Sequence, residues 1–184
     1  MEQVPSNKMI LISVSSAGYM GGNFAKVTIN GVPIWFDRNE HDHFRGLHLV
    51  VINPANGKVV LAKVFDTFRT CAALDELISS RRIPRGHIVV AACKEECANA
   101  LSPKAKHWFK VMGSSEISQL AVGQAFALMG IAGRHQWVSE RRGNLLQESV
   151  ALVEVFIMNT KDYGRRLQER LFKMSDAEHE LCVV

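Results

Sequence analysis

The sequence predicts an α+β fold of two twisted, mostly antiparallel sheets flanked by helices. Most apolar segments are short, rich in β-branched residues and bounded by turn residues, which is typical of β-strands. Strands are grouped towards both ends of the chain, and two helical segments lie between the central strands. This order favours antiparallel sheets with helices on one side over an alternating, doubly wound α/β fold.

Composition limits the classes of protein that the chain can represent. Its 184 residues are 47% hydrophobic and 22% charged, which are the values of one globular domain with a substantial core. The apolar runs are far shorter than the ~18–20 residues that span a bilayer, so membrane insertion is not expected. The net charge is +4 and the cations are scattered, so a nucleic-acid partner is not expected either.

The N-terminal part of the chain predicts one strand followed by a hairpin. Residues 9–14 are apolar except for Ser13 and are predicted as a strand, and the glycine-containing segment 15–22 is interpreted as a loop. Asn30-Gly31 is the strongest two-residue hairpin signal, and it separates predicted strands over 24–29 and 32–36. The polar segment that follows contains His41 and His43, but without a distant partner a metal site is not expected.

A second hairpin is predicted as the centre of the core. Residues 47–52 form a nearly continuous apolar run, which suits a strand that is covered on both faces. Pro54 and Asn56-Gly57 supply turn chemistry, and residues 59–65 return as a second strand. Burial of roughly ten large side chains at ~1.5–3 kcal/mol each would make this hairpin the folding nucleus.

Two helices are predicted after this hairpin. The first begins at a Thr70 cap and continues to about residue 80, with a buried stripe of leucine and isoleucine. The second begins at Ser102-Pro103, a hydroxyl cap followed by proline at the first helical position, and ends at Gly113.

The remaining segments are predicted as strands, polar loops and a tail. Buried strands are predicted over residues 87–93, 125–131 and 150–158, and the charged segment 139–144 is interpreted as a loop. From residue 160 onward, apolar residues recur at helical spacing, which predicts an amphipathic helix. The predicted organisation is therefore one domain over 8–158 and a helical tail over 159–184.

The cysteine spacing and the catalytic motifs that the sequence lacks limit the classes of function that are expected. The spacing Cys93-x-x-x-Cys97 has no second pair of ligands, so no zinc site is expected, and one disulfide or free thiols both stay open. The sequence contains no nucleophile elbow, phosphate loop or His-Glu-x-x-His motif. Neither an enzyme nor a cofactor is expected.

An ordered set of short motifs then resembles a known family. It comprises Arg45-Gly46-Leu47-His48, Asn56-Gly57-Lys58-Val59, Phe65-Asp66-Thr67-Phe68, Lys94-Glu95-Glu96 and Gly113-Ser114. The set is similar to the interleukin-like EMT inducer (ILEI), or PANDER-like, domain family over about residues 8–156. Members include secreted cytokine-like proteins, the stem domain of protein O-mannose N-acetylglucosaminyltransferase, and a domain of cell-migration-inducing, hyaluronan-handling proteins.

The resemblance implies a compact ββα fold and a binding domain without catalysis. In the sugar-binding branch of the family, the implied pocket places an arginine at Arg45 and an acid at Glu95. A second arginine of that branch falls at Gly123, which is a departure, and Gln124 is the third predicted carbohydrate contact. Arg45 could instead form a salt bridge at the strand start, including one to Glu95, and Asp66 is expected to cap the following segment.

The resemblance therefore implies a noncatalytic, lectin-like domain whose partner is a glycan, such as a structure that contains β-linked N-acetylglucosamine. The alternative is a cytokine-like ligand for a protein receptor, and the oligomeric state stays open. The resemblance implies an extracellular or secretory-pathway location as part of a longer chain. The N-terminal residues lack a basic segment and a leucine-rich core, so no signal peptide is expected and a cytosolic location stays open.

Overall fold

The structure is a computed structural model that describes residues 8–38, 44–134, 138–143, 150–159 and 182–183. The strands within these ranges, in chain order, are β1 (Lys8–Gly18), β2 (Phe24–Ile29), β3 (Val32–Arg38), β4 (Gly46–Ile52), β5 (Val59–Phe65), β6 (Ile88–Glu95), β7 (Phe126–Ile131), β8 (Val138–Arg142), β9 (Val150–Asn159) and β10 (Cys182–Val183). The helices are α1 (Ala72–Ser79) and α2 (Pro103–Met112). Short 3-10 turns cover Tyr19–Gly21 and Glu116–Ser118.

The described strands form two groups that meet at one short ladder. The first group contains β1, β2, β3, β9 and β10, and the second contains β4, β5, β6, β7 and β8. Antiparallel pairs dominate in both groups, as predicted. The groups are joined where β1 pairs in parallel with β6, at Ala17↔Lys94 and Gly18↔Glu95. Hydrogen bonding therefore makes one continuous sheet where the sequence predicted two.

Alternating side chains of the second group contribute to two separate cores. One core contains the even-numbered residues Val50, Ile52, Ile88, Val90 and Ala92, which pack with apolar residues of β1 and β2. The other core contains the odd-numbered residues Leu47, Leu49, Val89, Ala91 and Cys93, which pack with both helices. The described chain is mostly β-sheet with two helices, so the α+β class is confirmed. The specific ββα fold stays a prediction.

Two strands extend beyond their predicted ends. β1 continues through Gly18, into a segment predicted as a loop. Ser15 and Ser16 pair with both β2 and β9, and Ala17 pairs with β9. β6 continues through Lys94 and Glu95, which were expected just past its end. In both cases neighbouring strands supply backbone hydrogen bonds that cannot be predicted from the local sequence.

The predicted charged loop at 139–144 is wrong over most of its length. Residues Val138–Arg142 form β8, which pairs with β7 from Gly130↔Val138 to Phe126↔Arg142. Charged side chains suit a strand at the edge of a sheet, where one side of the ladder faces solvent. The expectation failed because the charge pattern of an edge strand resembles that of a loop.

Only the first strand of the predicted central hairpin lies inside the sheet. β4 is buried at every position, as predicted. β5 instead lies at the end of the strand order and has exposed residues on both faces. Two of the described strands have three partners each: β6 pairs with β1, β4 and β7, and β1 pairs with β2, β6 and β9.

Both predicted helices are present. In α2, the Ser102 hydroxyl accepts a hydrogen bond from the Ala105 N–H (3.0 Å), and Gly113 ends the helix at φ +113°. In α1, the first helical residue is Ala72, two residues after Thr70, whose hydroxyl accepts from the Ala72 N–H (3.2 Å). The Ser102 hydroxyl also donates to the Asp75 carboxylate (2.6 Å), which joins the two helices.

Some predictions fall on residues outside the described ranges. These are the His41-Asp42-His43 segment and the amphipathic helix from residue 160, so the domain boundary at 158/159 stays a prediction. Cys182–Val183 pairs in parallel with β9 at Val155 and Phe156. None of the helices in the described ranges has the length and apolar character needed to cross a membrane.

Candidate functional site

The C-terminal end of β6 is the meeting point of several strand ends. Gly18 at the end of β1 pairs with Glu95, and Gly46 at the start of β4 pairs with Lys94. Arg45 precedes Gly46 and Glu95 follows Lys94, so both residues lie at this end of the β4–β6 pair. The β6–β7 register brings the chain that precedes β7 to the same end. We call this region the strand-end rim, and it consists of residues 18–20, 44–45, 68, 94–96 and 122–124.

Close backbone approach shapes one side of the rim. A Cβ atom on Gly18 would collide with the carbonyl oxygen of Gly123 and would lie 3.3 Å from the Ala125 nitrogen. Gly123 itself has φ +76°, a left-handed conformation that is costly for any residue with a side chain. The departure from the family pattern at Gly123 therefore has a backbone reason, because an arginine would be strained there.

Arg45 forms its ion pair with Asp66. The Arg45 Nε donates to Asp66 Oδ1 at 3.1 Å, and a terminal nitrogen donates to Oδ2 at 3.4 Å. The guanidinium carbon lies 4.2 Å above the centre of the Phe68 ring, and the Arg45 side chain is only 16% exposed. The predicted salt bridge at the strand start is confirmed with Asp66 as the partner, whereas the suggested Arg45–Glu95 ion pair is absent from the described contacts.

The Asp66 carboxylate does not cap the following segment. The backbone carbonyl oxygen of Asp66 accepts hydrogen bonds from the N–H groups of Arg69 and Thr70, both at 3.0 Å. The carboxylate instead lies between Arg45 and Arg69, whose Nε is 3.8 Å away. Asp66 is therefore structural, as expected, although by a different set of contacts.

The two neighbouring glutamates at the rim have different roles. Glu95 is half-buried at φ +61°, and its carboxylate has no hydrogen-bond or ion-pair partner among the described residues. Glu96 is buried, and it accepts hydrogen bonds from the N–H groups of Ala98, Asn99 (2.8 Å) and Gly123. Glu96 thus ties two rim loops together, whereas Glu95 takes no part in this tie.

Sequence reasoning missed the structural role of Glu96. The only local signal is an acid two and three residues before backbone N–H groups, which is a common capping arrangement. Its third partner, Gly123, is 27 residues away and cannot be read from the local sequence.

Gln124 lies at the rim, but its side-chain oxygen is already engaged. This oxygen accepts hydrogen bonds from the Ala121 N–H (2.9 Å) and from Arg142 (3.1 Å). Arg142 also pairs with Glu116 at 2.8 Å. Arg45, Glu95 and Gln124 therefore all belong to the rim, and Gln124 is part of a loop-stabilising network there.

A disulfide and a buried serine hold the rim in place. Cys93 and Cys97 are bonded, with 5.8 Å between their Cα atoms, and they bracket the Lys94-Glu95-Glu96 segment. Of the two possibilities that the spacing left open, the structure shows the bridge for this pair, while Cys71 is a buried free thiol. The buried Ser16 hydroxyl donates to the Cys93 carbonyl and accepts from the Phe126 N–H (3.0 Å), which links β1, β6 and β7.

Exposed apolar side chains border the charged part of the rim. Tyr19, Met20 and Val122 are 69%, 68% and 60% exposed, and Phe44 and Phe68 are also exposed. Exposed apolar groups near charged groups are typical of a surface that binds another molecule. Within the described ranges, no three His, Cys, Asp or Glu side chains lie close enough together to hold a metal ion.

Comparison with known protein families gives a match over the middle of the chain. Residues 45–134 match the family model for the interleukin-like EMT inducer. The matched segment begins at Arg45 and includes β4 through β7, both helices and the predicted site residues Glu95 and Gln124. The family resemblance predicted from the sequence is therefore confirmed over this segment.

Proposed function

We propose that this chain, whose residues 45–134 belong to the interleukin-like EMT inducer family, is a noncatalytic, lectin-like protein that binds a glycan at the strand-end rim. The observation that supports the proposal is the β4–β6 register, which pairs Gly46 with Lys94 and so brings the neighbouring residues Arg45 and Glu95 to the same end of the sheet. A charged acceptor and a charged donor at one edge suit the hydroxyl and acetamido groups of a sugar.

The individual groups support this proposal. Glu95 has a half-buried carboxylate without a partner in the described chain, so it can accept hydrogen bonds from sugar hydroxyls. Arg45 is held in one orientation by Asp66 and Phe68, which limits the entropy lost when a ligand binds. The exposed ring of Tyr19 offers an apolar surface for the nonpolar face of a sugar.

A glycan array that includes β-linked N-acetylglucosamine structures, followed by calorimetry on the hits, tests the proposal. We expect Glu95→Gln to weaken binding about tenfold or more, because a hydrogen bond to a charged group contributes ~1.5–3 kcal/mol. Glu76→Gln is the matched control, since Glu76 is an exposed acid on α1. Absence of glycan binding by the wild type at millimolar concentration would remove the lectin proposal.

A second candidate function is that of a cytokine-like ligand for a protein receptor. Two observations favour it: glycine replaces the second family arginine at Gly123, and Tyr19, Met20 and Val122 form an apolar border. Exposed aromatic and methionine side chains are common anchors of protein–protein interfaces.

Cell-surface binding distinguishes the two candidates. The labelled protein is applied to cells before and after deglycosylation of their surface. A glycan partner predicts that deglycosylation abolishes binding and that Glu95→Gln weakens it. A protein receptor predicts that binding survives deglycosylation and is weakened by Tyr19→Ser or Met20→Ser.

We place the protein in an extracellular or secretory compartment as part of a longer chain. Disulfides persist in oxidising compartments, and the Cys93–Cys97 bond supports such a location. Thiol mapping of protein isolated from cells under alkylating conditions tests this. A fully reduced Cys93–Cys97 pair would contradict the proposed location.

A further inference from the structure

Cations that are scattered along the sequence come together at the end of the sheet opposite the rim. Ile52 at the end of β4 pairs with Val59 and with Ile88. Ile88 in turn pairs with Ile131 at the end of β7, so three loops lie side by side there. We call them the basic end, which consists of residues 53–58, 80–87 and 132–134. β6 leads from the basic end to the rim, and its eight residues cover about 23 Å at ~3.3 Å per residue. The two ends are therefore separate surfaces.

The basic end contains charges of one sign. Its three segments have five Lys or Arg residues and no Asp or Glu, although the whole chain has 22 cations and 18 acids. All five cationic residues are exposed: Lys58, Arg81, Arg82, Arg85 and Arg134. The imbalance is therefore local, and a surface with charges of one sign attracts ligands of the opposite sign.

Two acids of α1 are close to the basic end along the chain, and they neutralise little of its charge. Glu76 lies 3.8 Å from Arg82, but these side chains are 77% and 65% exposed, and such surface pairs contribute little. Asp75 accepts a hydrogen bond from the Ser102 hydroxyl at 2.6 Å, so its carboxylate is engaged with α2. Within the part of the chain that the structure describes, the other four cations of the basic end form no ion pair.

The Arg85 side chain is held in place by the neighbouring loop. Its Nη2 atom donates to the Gly133 carbonyl oxygen at 3.2 Å. Gly133 has φ +71°, and a Cβ atom there would lie only 3.0 Å from the Arg85 Nε, so the missing side chain leaves room for the guanidinium group. Arg134 follows Gly133 directly, so two arginines of the basic end are neighbours. An arginine that is already oriented loses less entropy when it binds an anion.

We propose that the basic end binds a sulfated polysaccharide, at a second site that is separate from the glycan site at the rim. Lys58 precedes β5, Arg85 precedes β6 by three residues, and Arg134 follows β7. With β4 between β5 and β6, these cations form a row over three strand spacings, about 14 Å at ~4.8 Å each. An extended polymer with repeated anionic groups can contact such a row along its length. Guanidinium groups donate two parallel hydrogen bonds to oxyanions, and sulfate is a tetrahedral oxyanion like phosphate.

The compartment selects among the polyanions that such a surface could bind. The Cys93–Cys97 bond supports the extracellular or secretory location proposed above, where sulfated polysaccharides are abundant. Nucleic acids and the anionic lipids of the cytoplasmic leaflet are in other compartments. The proposed site therefore rests on that location and on the charge of the basic end, and it does not depend on glycan binding at the rim.

Calorimetry with heparin, a densely sulfated polysaccharide, at about 0.15 M salt tests the proposal. Chemically desulfated heparin, which keeps its carboxylates, tests the need for sulfate, and double-stranded DNA tests the alternative partner. We expect the wild type to bind heparin about tenfold or more tightly than desulfated heparin, and more tightly than DNA. The affinity should fall steeply as salt is added, because binding releases counterions from the polymer.

Two double variants remove the same number of charges from different places. Arg85→Gln with Arg134→Gln removes two cations of the basic end. Lys63→Gln with Arg141→Gln is the matched control, since both residues are exposed and lie within β5 and β8, outside the three loops. We expect the first variant to bind heparin about tenfold or more weakly and to lower the salt slope by about two, because two anion contacts are lost. The control should stay within about threefold of the wild type, and circular dichroism verifies that both variants are folded.

Several results would overturn the proposal. Equal losses for the two double variants would show that heparin responds to net charge and not to the basic end. Desulfated heparin or DNA that binds as tightly as heparin would contradict the class of ligand. A wild type that does not bind heparin at about 0.15 M salt would remove the site altogether.

The rim variant Glu95→Gln separates this site from the proposed function. We expect it to bind heparin like the wild type, and the Arg85→Gln, Arg134→Gln variant to keep its affinity for any uncharged glycan that the array identifies. Competition between heparin and such a glycan would contradict two separate sites. Heparin binding without binding of uncharged glycans would remove only the lectin proposal, whereas the reverse result would remove only the basic-end proposal.

Discussion

Replacement of Gly46 by alanine tests whether close backbone packing positions the rim. Gly46 has φ +107°, and a Cβ atom there would collide with the Phe65 carbonyl oxygen and lie 2.9 Å from the Thr67 nitrogen. Gly46→Ala therefore combines backbone strain with a collision. Two other glycines separate these effects in the same protein. Gly86 has φ +82°, and a Cβ atom there would have nothing within 4 Å. Gly18 has φ −69°, which any residue adopts, but a Cβ atom there would collide with the Gly123 carbonyl oxygen.

The expected magnitudes follow from these two contributions. A left-handed backbone costs a residue with a side chain about 1–2 kcal/mol, and forcing an extra methyl group into packed structure costs about 1–3 kcal/mol. Alanine recovers ~0.4–1 kcal/mol because it restricts the unfolded chain. The net loss in unfolding free energy is then about 1 kcal/mol for Gly86→Ala, about 1–2 for Gly18→Ala and about 3 for Gly46→Ala.

Urea unfolding followed by circular dichroism measures the three losses, provided that the slope of free energy against urea is unchanged. Gly46→Ala should also weaken ligand binding, because the collision pushes the β4 start away from the segment that holds Asp66. If Gly46→Ala costs no more than Gly86→Ala, the close approach of β4 to the β5 end is not tight, and the reasoning fails.

Three further changes have defined outcomes. Glu96→Gln keeps the shape of the side chain but sets an amide N–H group against a backbone N–H, so we expect a loss of about 1–3 kcal/mol in urea unfolding. If the wild type and Glu96→Gln were equally stable, the Glu96–Gly123 hydrogen bond would not be what holds the two rim loops together. Ser102→Ala removes the α2 cap and should cost about 1 kcal/mol, measured by thermal unfolding. Ser102→Asp should not restore it, although aspartate is a good cap, because it would face Asp75; full rescue would contradict this geometry. Reduction of Cys93–Cys97 should lower the unfolding free energy by roughly 2 kcal/mol on a chain-entropy estimate. Thiol titration in denaturant should find two more thiols after reduction, and an unchanged count would contradict the bridge.

Elements with strong local signals were predicted well from the sequence. The Asn30-Gly31 turn has both residues in the left-handed conformation that its two-residue hairpin requires. Helix α2 begins after Ser102 and ends at Gly113, as the cap, proline and glycine pattern indicated. These features depend on interactions within a few residues, so the local sequence contains the information.

Elements defined by distant partners were predicted less well. Residues 15–18 and 139–142 belong to segments that were interpreted as loops, and both are in strands because neighbouring strands supply their hydrogen bonds. The sequence also left open whether Arg45 would bind Glu95, and its partner is Asp66, 21 residues along the chain. Side-chain composition does not reveal such pairings.

The sequence alone determined the α+β class, the family resemblance that is confirmed over residues 45–134, and both ends of α2. Only the tertiary structure decided that Arg45 pairs with Asp66, that Glu96 is structural, and that β5 lies at an edge among the described strands. The physical reason is the range of the interactions. Capping, turn conformation and hydrophobic periodicity act over a few residues, whereas strand order and loop contacts depend on the whole chain being folded.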